Sequence, residues 1–310
     1  MSKVSRKPGN CQELSLRKAS WHRVKRFIQD DPGKTDIVSV TCLPGATTVA
    51  RQNTTGKRPT RLSLFSWNIT MMLTNKNRLK PINTRNTTFG AKTLLDHTLS
   101  YPIEHVVRFM ASLRDSADNT RTRQGVDIGF GSGQHLKLLM EHGYRASGVE
   151  LVDSAIDRVH QLFEQEPLLG DLFLSDFRTA PFPETFFDAL ICWGVIFLRS
   201  LQEMQHDLDS LYKMTHPGGQ LCLNFRTKEN WFYGHGKEIS EDHYLLDQSA
   251  GPYAGSNYTF VDANMARQLV EQAGYQIINF ERCDWWKNNM QQKHSWWIVW
   301  ARRPEENLST

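Results

Sequence analysis

The stretch "VDIGFGSGQH", Val126–His135, sets three glycines two residues apart, Gly129, Gly131 and Gly133, behind a carboxylate, Asp127. Glycine has no Cβ, so a loop made of it brings backbone close to a ligand and takes positive φ at little cost. The flanks give the loop its place. "GVDIGF" reads as a buried strand and "QHLKLLMEHG" as a helix ended by Gly143. A glycine loop at such a strand-to-helix turn suits a nucleotide-like ligand. The dinucleotide fingerprint G-x-G-x-x-G needs a glycine at position 134, and that residue is Gln134. The spacing is G-x-G-x-G, and an acid two residues ahead of the first glycine suits a ligand with an ammonium and a sulfonium better than a pyrophosphate.

Outward from the loop, strands and helices alternate. Upstream, "YPIEHVVRFMASL" places Ile103, Val106, Val107, Met110 and Leu113 on one helical face, with Pro102 and Glu104 suited to its first turn. Downstream, "RASGVEL" is a second strand, and "DSAIDRVHQLF" a second helix with Asp153 or Ser154 as cap. "GDLFLSD" and "FFDALICWGVIF" follow as strands. "LQEMQHDLDSLYKMTH" is a helix carrying Leu201, Met204, Leu208 and Leu211 on one face, stopped by "PGG". "GQLCLNFR" is a fifth strand. A helix in "DANMARQLVEQAGY" and two strands, "YQIINFERCDWW" and "SWWIVWARR", close the chain. Alternation with short connections predicts a doubly wound, mostly parallel seven-stranded α/β sheet. The last two strands have no helix between them, so they are expected to pair as an antiparallel hairpin. Ligands on such sheets bind at the carboxyl ends of the strands, where the glycine loop lies.

Charge divides the 310 residues. Residues 1–95 hold 18 Lys and Arg against 4 Asp and Glu, a net +14, which leaves −10 on the rest of a chain whose total is +4. The break sets a basic N-terminal extension, residues 1–95, apart from an acidic body, residues 96–310. The extension shows no sustained period and several turn signals ("RKPGN", "DDPGK", "CLPGA"), so it is expected to be poorly ordered. Other readings stay open for it: a nucleic-acid arm with Trp21 and Trp67 as stacking residues, a transit peptide weakened by its acids, or a translation start at Met71 or Met72. The acidic domain disfavours nucleic acid as the partner. Five cysteines, at positions 11, 42, 192, 222 and 283, lack C-x-x-C spacing and are expected to be reduced thiols in a cytoplasmic protein. No apolar run approaches the ~18 residues of a membrane span.

"VDIGFGSG" resembles the first motif of class I S-adenosylmethionine (SAM)-dependent methyltransferases, and further landmarks of that family follow in order over residues 100–303. The resemblance implies SAM as cofactor, with the loop Asp127, Gly129, Phe130, Gly131 and Gly133 around it. Glu150, ahead of Leu151, ends the second strand where the family keeps an acid on the ribose hydroxyls, and a carboxylate is a natural acceptor for a diol. Asp176 stands where the family often has an acid near the adenine amino group, and Phe177 beside it is a candidate to pack on the ring. "HPGG" and the terminal hairpin match as well. Trp193 ends the fourth strand in "ICWGV", where donor and acceptor should meet. Tyr101 is a candidate to close over the methionine end.

"ICWGVIF" has neither the N/D-P-P-Y/F motif of amide and base methylation nor the acidic cluster of magnesium-dependent relatives, so no metal is expected. The long connection 226–260 reads as an insert over the acceptor, a lid. Its "LNFRTKENWFYGHGKEI" is similar to small-molecule methyltransferases of the tellurite and thiopurine type. The expected acceptor is therefore a small molecule. Transfer is by in-line displacement, and a base is needed only if the acceptor must lose a proton; His235, Tyr233, His243 and Tyr244 are the candidates. Two alternatives are an RNA or protein methyltransferase that uses the basic arm, and a non-catalytic SAM-binding module.

Overall fold

The computed structural model describes residues 5–7, 11–16, 36–43, 46–53, 68–72, 101–113 and 121–305. The chain divides into two units, Met1–Ile82 and Asn83–Thr310. The described residues of the first are five strands: β1 (Ser5–Lys7), β2 (Cys11–Leu16), β3 (Asp36–Leu43), β4 (Ala46–Asn53) and β5 (Asn68–Met72). They pair antiparallel in the order β1-β2-β4-β3-β5. β-branched residues in "DIVSVTCL" and "ATTVARQN" favour extended backbone there. Most of residues 1–95, Trp21 and Trp67 among them, lie outside the described residues.

The second unit is built on a mostly parallel sheet. Its strands are β6 (Arg123–Ile128), β7 (Tyr144–Glu150), β8 (Leu169–Leu174), β9 (Phe187–Cys192) and β10 (Thr215–Thr227), with β14 (Gln276–Lys287) and β15 (Gln292–Arg302) at the C-terminus. The order is β8-β7-β6-β9-β10-β15-β14, and the first five run parallel. β15 is antiparallel to β10 and to β14, so the terminal hairpin inserts its second strand between β10 and its first. The order turns around at β6, between β7 and β9, and the loop after β6 opens at that switch point.

Helices cover both faces: α1 (Glu104–Ser112), α2 (Gln134–Glu141), α3 (Asp153–Phe163), α4 (Leu201–Met214) and α5 (Ala263–Gln272). α1 buries Val106, Phe109, Met110 and Leu113, whereas Val107, expected on that face, is 37% exposed. The buried stripe is therefore turned towards Phe109, which packs its ring on Trp300 of β15. The cap expected for α3 is also displaced: Asp153 is the first helical residue, and Val152 precedes it with no side-chain cap. α4 starts on a full capping box of Ser200 and Glu203, and α5 on Asp262, which accepts from the Met265 N–H at 2.8 Å.

The connection after β10 is ordered. β11 (Lys237–Ser240), β12 (His243–Leu245) and β13 (Asn257–Val261) form an antiparallel ribbon. Its last strand joins the end of β10 in parallel, Arg226 opposite Phe260. Among the described residues, no helix is long and apolar enough to cross a membrane, and no group of three or more His, Cys, Asp or Glu is placed to hold a metal ion.

Candidate active site

The glycine loop adopts the backbone that its composition allows. Gly129, Gly131 and Gly133 have φ of 71°, 52° and 83°, the left-handed region. A Cβ on Gly129 would stand 2.6 Å from Val195 Cγ2, and one on Gly133 2.7 Å from Val159 Cγ2. Backbone and neighbours together exclude larger side chains at both positions. Phe130, between the glycines, turns inward and is 1% exposed, its ring under Gly148. It shapes the loop from beneath and belongs to the core.

Asp127, next to last in β6, is almost fully buried, and its Oδ2 has no hydrogen-bond partner. His135 Nδ1, from the first turn of α2, lies 3.6 Å away, too far for a good hydrogen bond but close enough to favour the carboxylate. Burial is the larger influence and raises the Asp127 pKa; His135 opposes it. An orphaned, buried carboxylate oxygen under a bare loop fits a ligand ammonium. His135 Nε2 in turn faces the backbone N–H of Ile103 at 3.5 Å, which draws the start of α1 to the loop.

Glu150, at the end of β7, accepts from the Gly131 N–H at 3.0 Å and the Leu151 N–H at 2.6 Å. Burial raises its pKa, and these backbone donors oppose the rise. The carboxylate is thus locked to the loop, with lone pairs left for hydroxyls. The loop, Asp127 and Glu150 fit the amino, sulfonium and diol groups of SAM.

The next acid is engaged elsewhere. Asp176 accepts from Arg178 Nε at 3.0 Å and Nη2 at 2.7 Å, and from Arg199 Nη2 at 2.8 Å. Although burial opposes it, these partners pull its carboxyl down to about 2. Asp207 of α4 is buried behind the same arginines, with Arg199 Nε at 2.9 Å. Neither of its oxygens has a well-directed hydrogen bond, and burial pushes it up to about 7. Phe177 is a core residue, 5% exposed, while Tyr101 is 85% exposed.

Beyond β9, Trp193 is half-buried, and Gly194 donates its N–H to Asn224 Oδ1 of β10 at 2.7 Å. The ring facing Trp193 is His105 of α1, stacked with centroids 5.9 Å apart and an interplanar angle of 15°. Sequence reading passed over His105 because it lies off the apolar stripe of α1; the only local signal was a titratable ring in a helix just ahead of the loop.

The base candidates of the insert do not gather at Trp193. Tyr233 donates to Asp242 Oδ1 at 2.9 Å, which raises its pKa and keeps the phenol protonated, so it offers no base at neutral pH. Tyr244 packs on Tyr233 and Phe260. His243 is buried and lowered by burial, and His235 pairs with Ser249 Oγ at 2.9 Å beside Trp231. No hydrogen bond or ring contact among the described residues joins any of the four to the glycine loop or Trp193. The insert is held instead by Arg226. Its buried guanidinium lies over the rings of Phe197, Phe232, Tyr258 and Trp296 at 4.0 to 5.0 Å, and burial lowers it to about 10.

Residues 126–223 match the family model described as a methyltransferase domain. With the strand order and the loop, this match supports a methyltransferase domain on a Rossmann-like sheet, with SAM as its cofactor. Among solved structures the chain is similar to a 1,6-didemethyltoxoflavin N1-methyltransferase of Burkholderia thailandensis, solved with 1,6-didemethyltoxoflavin and S-adenosylhomocysteine. Identity is 15% and the TM-score 0.50, over 72% of this chain and 88% of that one. A SAM-dependent methyltransferase of Methanosarcina mazei is similar at 18% identity and a TM-score of 0.49, over 60% of this chain and 95% of that one. No curated protein sequence matches the chain.

Proposed function

We propose that the protein methylates a small-molecule acceptor by in-line displacement, without a metal. The observation that carries this reading is the insert, residues 226–260, packed as a ribbon against the end of β10 and anchored by Arg226. It adds an aromatic-walled structure beside the strand ends where Trp193 stands, on the side away from Glu150. A cover on that side of the strand ends suits a small acceptor.

Asp127, Glu150 and the backbone of Gly129–Gly133 would hold SAM, which supplies a methyl group already activated by its sulfonium. The remaining work of the chain is to orient the acceptor and exclude water. The likeness of "LNFRTKENWFYGHGKEI" to enzymes of the tellurite and thiopurine type points the same way. The Burkholderia protein also holds a small heteroaromatic molecule with S-adenosylhomocysteine, although at 15% identity it shares the fold and lends no acceptor identity. Asp176 and Phe177 stay in the proposal as the wall of the adenine pocket, through the loop that Arg178 and Arg199 brace.

A screen of small-molecule acceptors with methyl-labelled SAM tests the reading. Turnover is expected with at least one of them. Replacing Tyr233–Tyr244 by a Gly/Ser linker should leave SAM affinity within about threefold and abolish that turnover, since a displacement of ~1 Å can cost ~100-fold in rate. Unchanged turnover and acceptor preference in the linker variant would defeat it.

A further inference from the structure

Two contacts meet on one ring, and a third ties the start of its helix to the cofactor loop. The start of α1 is drawn to the cofactor acid through the chain Asp127–His135–Ile103 N–H. Two residues further along, His105 stacks on Trp193, the residue that follows β9. From the other side Glu281 of β14 approaches, with Oε2 3.9 Å from His105 Nδ1. Glu281 is fixed in that position by Arg108, which donates to it from both terminal nitrogens at 2.9 and 2.8 Å, and by Asn279 at 3.0 Å.

The two ring nitrogens differ. Nδ1 is buried and has no hydrogen-bond partner, although a carboxylate stands just beyond reach. The side chain keeps 14% exposure, and Nε2 is not among the buried atoms. The negative charge on the Nδ1 side favours the tautomer with its proton there, which would leave Nε2 as a lone-pair acceptor. Burial, the largest influence, lowers the His105 pKa and so favours the neutral ring at pH 7. Of the charged groups around it, Glu281 and Glu104 oppose the shift, and Arg108 adds to it.

We propose that His105 is the general base of the transfer, with Glu281 as its positioning residue, and that the acceptor is a small molecule bearing a weakly acidic O–H or N–H. This rests on the reading of the site as a small-molecule methyl-transfer site. The acceptor heteroatom forms its bond to the methyl carbon as the carbon–sulfur bond breaks, the electron pair staying on sulfur. The proton of the acceptor passes to Nε2, the imidazolium faces Glu281, and the proton leaves to water. Each of the four base candidates on the insert lacks this placement beside Trp193.

The test uses the full chain with 15N-labelled histidine, saturated with S-adenosylhomocysteine, and 4-nitrophenol as an acceptor mimic. The His105 signal is the one lost in His105→Gln. The expected tautomer at pH 7 is Nδ1–H, and Glu281→Gln should reduce its predominance. Bound 4-nitrophenol should show phenolate absorbance in the wild type, with His105 turning doubly protonated. In His105→Gln the phenolate fraction should fall at least tenfold while S-adenosylhomocysteine affinity is kept. An Nε2–H tautomer, no phenolate in the wild type, equal phenolate in the variant, or loss of S-adenosylhomocysteine binding in the variant would each overturn the assignment. Failure of the wild type to bind S-adenosylhomocysteine would instead defeat the methyl-transfer reading itself.

Discussion

Gly129 and Glu150 shape one loop from opposite sides, and each makes a distinct demand on it. At Gly129 a side chain meets two costs: φ of 71°, worth ~1–2 kcal/mol for an L-residue, and a Cβ 2.6 Å from Val195 Cγ2. Gly129→Ala should therefore lower the thermal unfolding midpoint and weaken SAM, both read by calorimetry; wild-type values for both would mean that the loop is more yielding than its geometry. Glu150 has a double role, because the carboxylate that would receive the ribose also holds the Gly131 and Leu151 N–H groups. Glu150→Ala removes acceptors from charge-assisted bonds worth ~1.5–3 kcal/mol each. SAM affinity should drop by at least about tenfold. Glu150→Gln, which keeps one acceptor oxygen for the loop, should fall between the two.

The cluster of Asp176, Arg178, Arg199 and Asp207 ties three elements together: the turn after β8, the turn after β9 and α4. Its two acids respond oppositely to pH. Asp176, held at about 2, contributes stability above the ordinary carboxylate pKa of ~4, and that stability is lost as pH falls towards 2. Asp207, pushed up to about 7, stabilises the fold most below ~4, and its contribution is lost as pH rises through about 7. Asp207→Asn should flatten the decline in stability from pH 4 to pH 8 and make the protein more stable at pH 8, by about 1–3 kcal/mol. Denaturant unfolding at pH 5 and pH 8 measures this; a variant less stable at both would show that ionised Asp207 is a net stabiliser. Asp176→Asn should cost about 1 kcal/mol at pH 7, allowing for solvent around its partners.

Elements also mark where sequence reading reaches its limit. The glycine loop, the alternation and the terminal hairpin were legible because each is a short-range pattern with its own period or spacing. Arg199 and Asp207 as partners of Asp176 were not, since nothing local to "LSDF" says which side chains fold back on it. The same holds for Arg226, whose aromatic walls come from positions 197, 232, 258 and 296, and for His105 on Trp193, 88 residues apart by number. The burial of Phe130 and Phe177 shows the converse: an aromatic beside a ligand loop can be core, and only packing decides.

At the scale of the whole chain the charge division, +14 on residues 1–95 against −10 on the rest, separates two kinds of behaviour. The unit Asn83–Thr310 carries its own sheet and core, and every residue assigned to the cofactor or to proton transfer lies in it. Stability and SAM affinity should therefore be properties of that unit. Removing residues 1–82 should shift the unfolding midpoint by less than about 2–4 °C, equivalent to ~1 kcal/mol at this size, and leave calorimetric SAM affinity unchanged. Binding to a generic RNA should behave differently. The second unit, net acidic, repels phosphates on average, so any affinity of the full chain should come from the front, fall with added salt, and vanish on the same deletion. A deletion that retained salt-sensitive RNA binding would place a basic surface on the second unit and favour a nucleic-acid acceptor over a small molecule. One that lost several kcal/mol of stability would show that the front takes part in the fold of the methyltransferase.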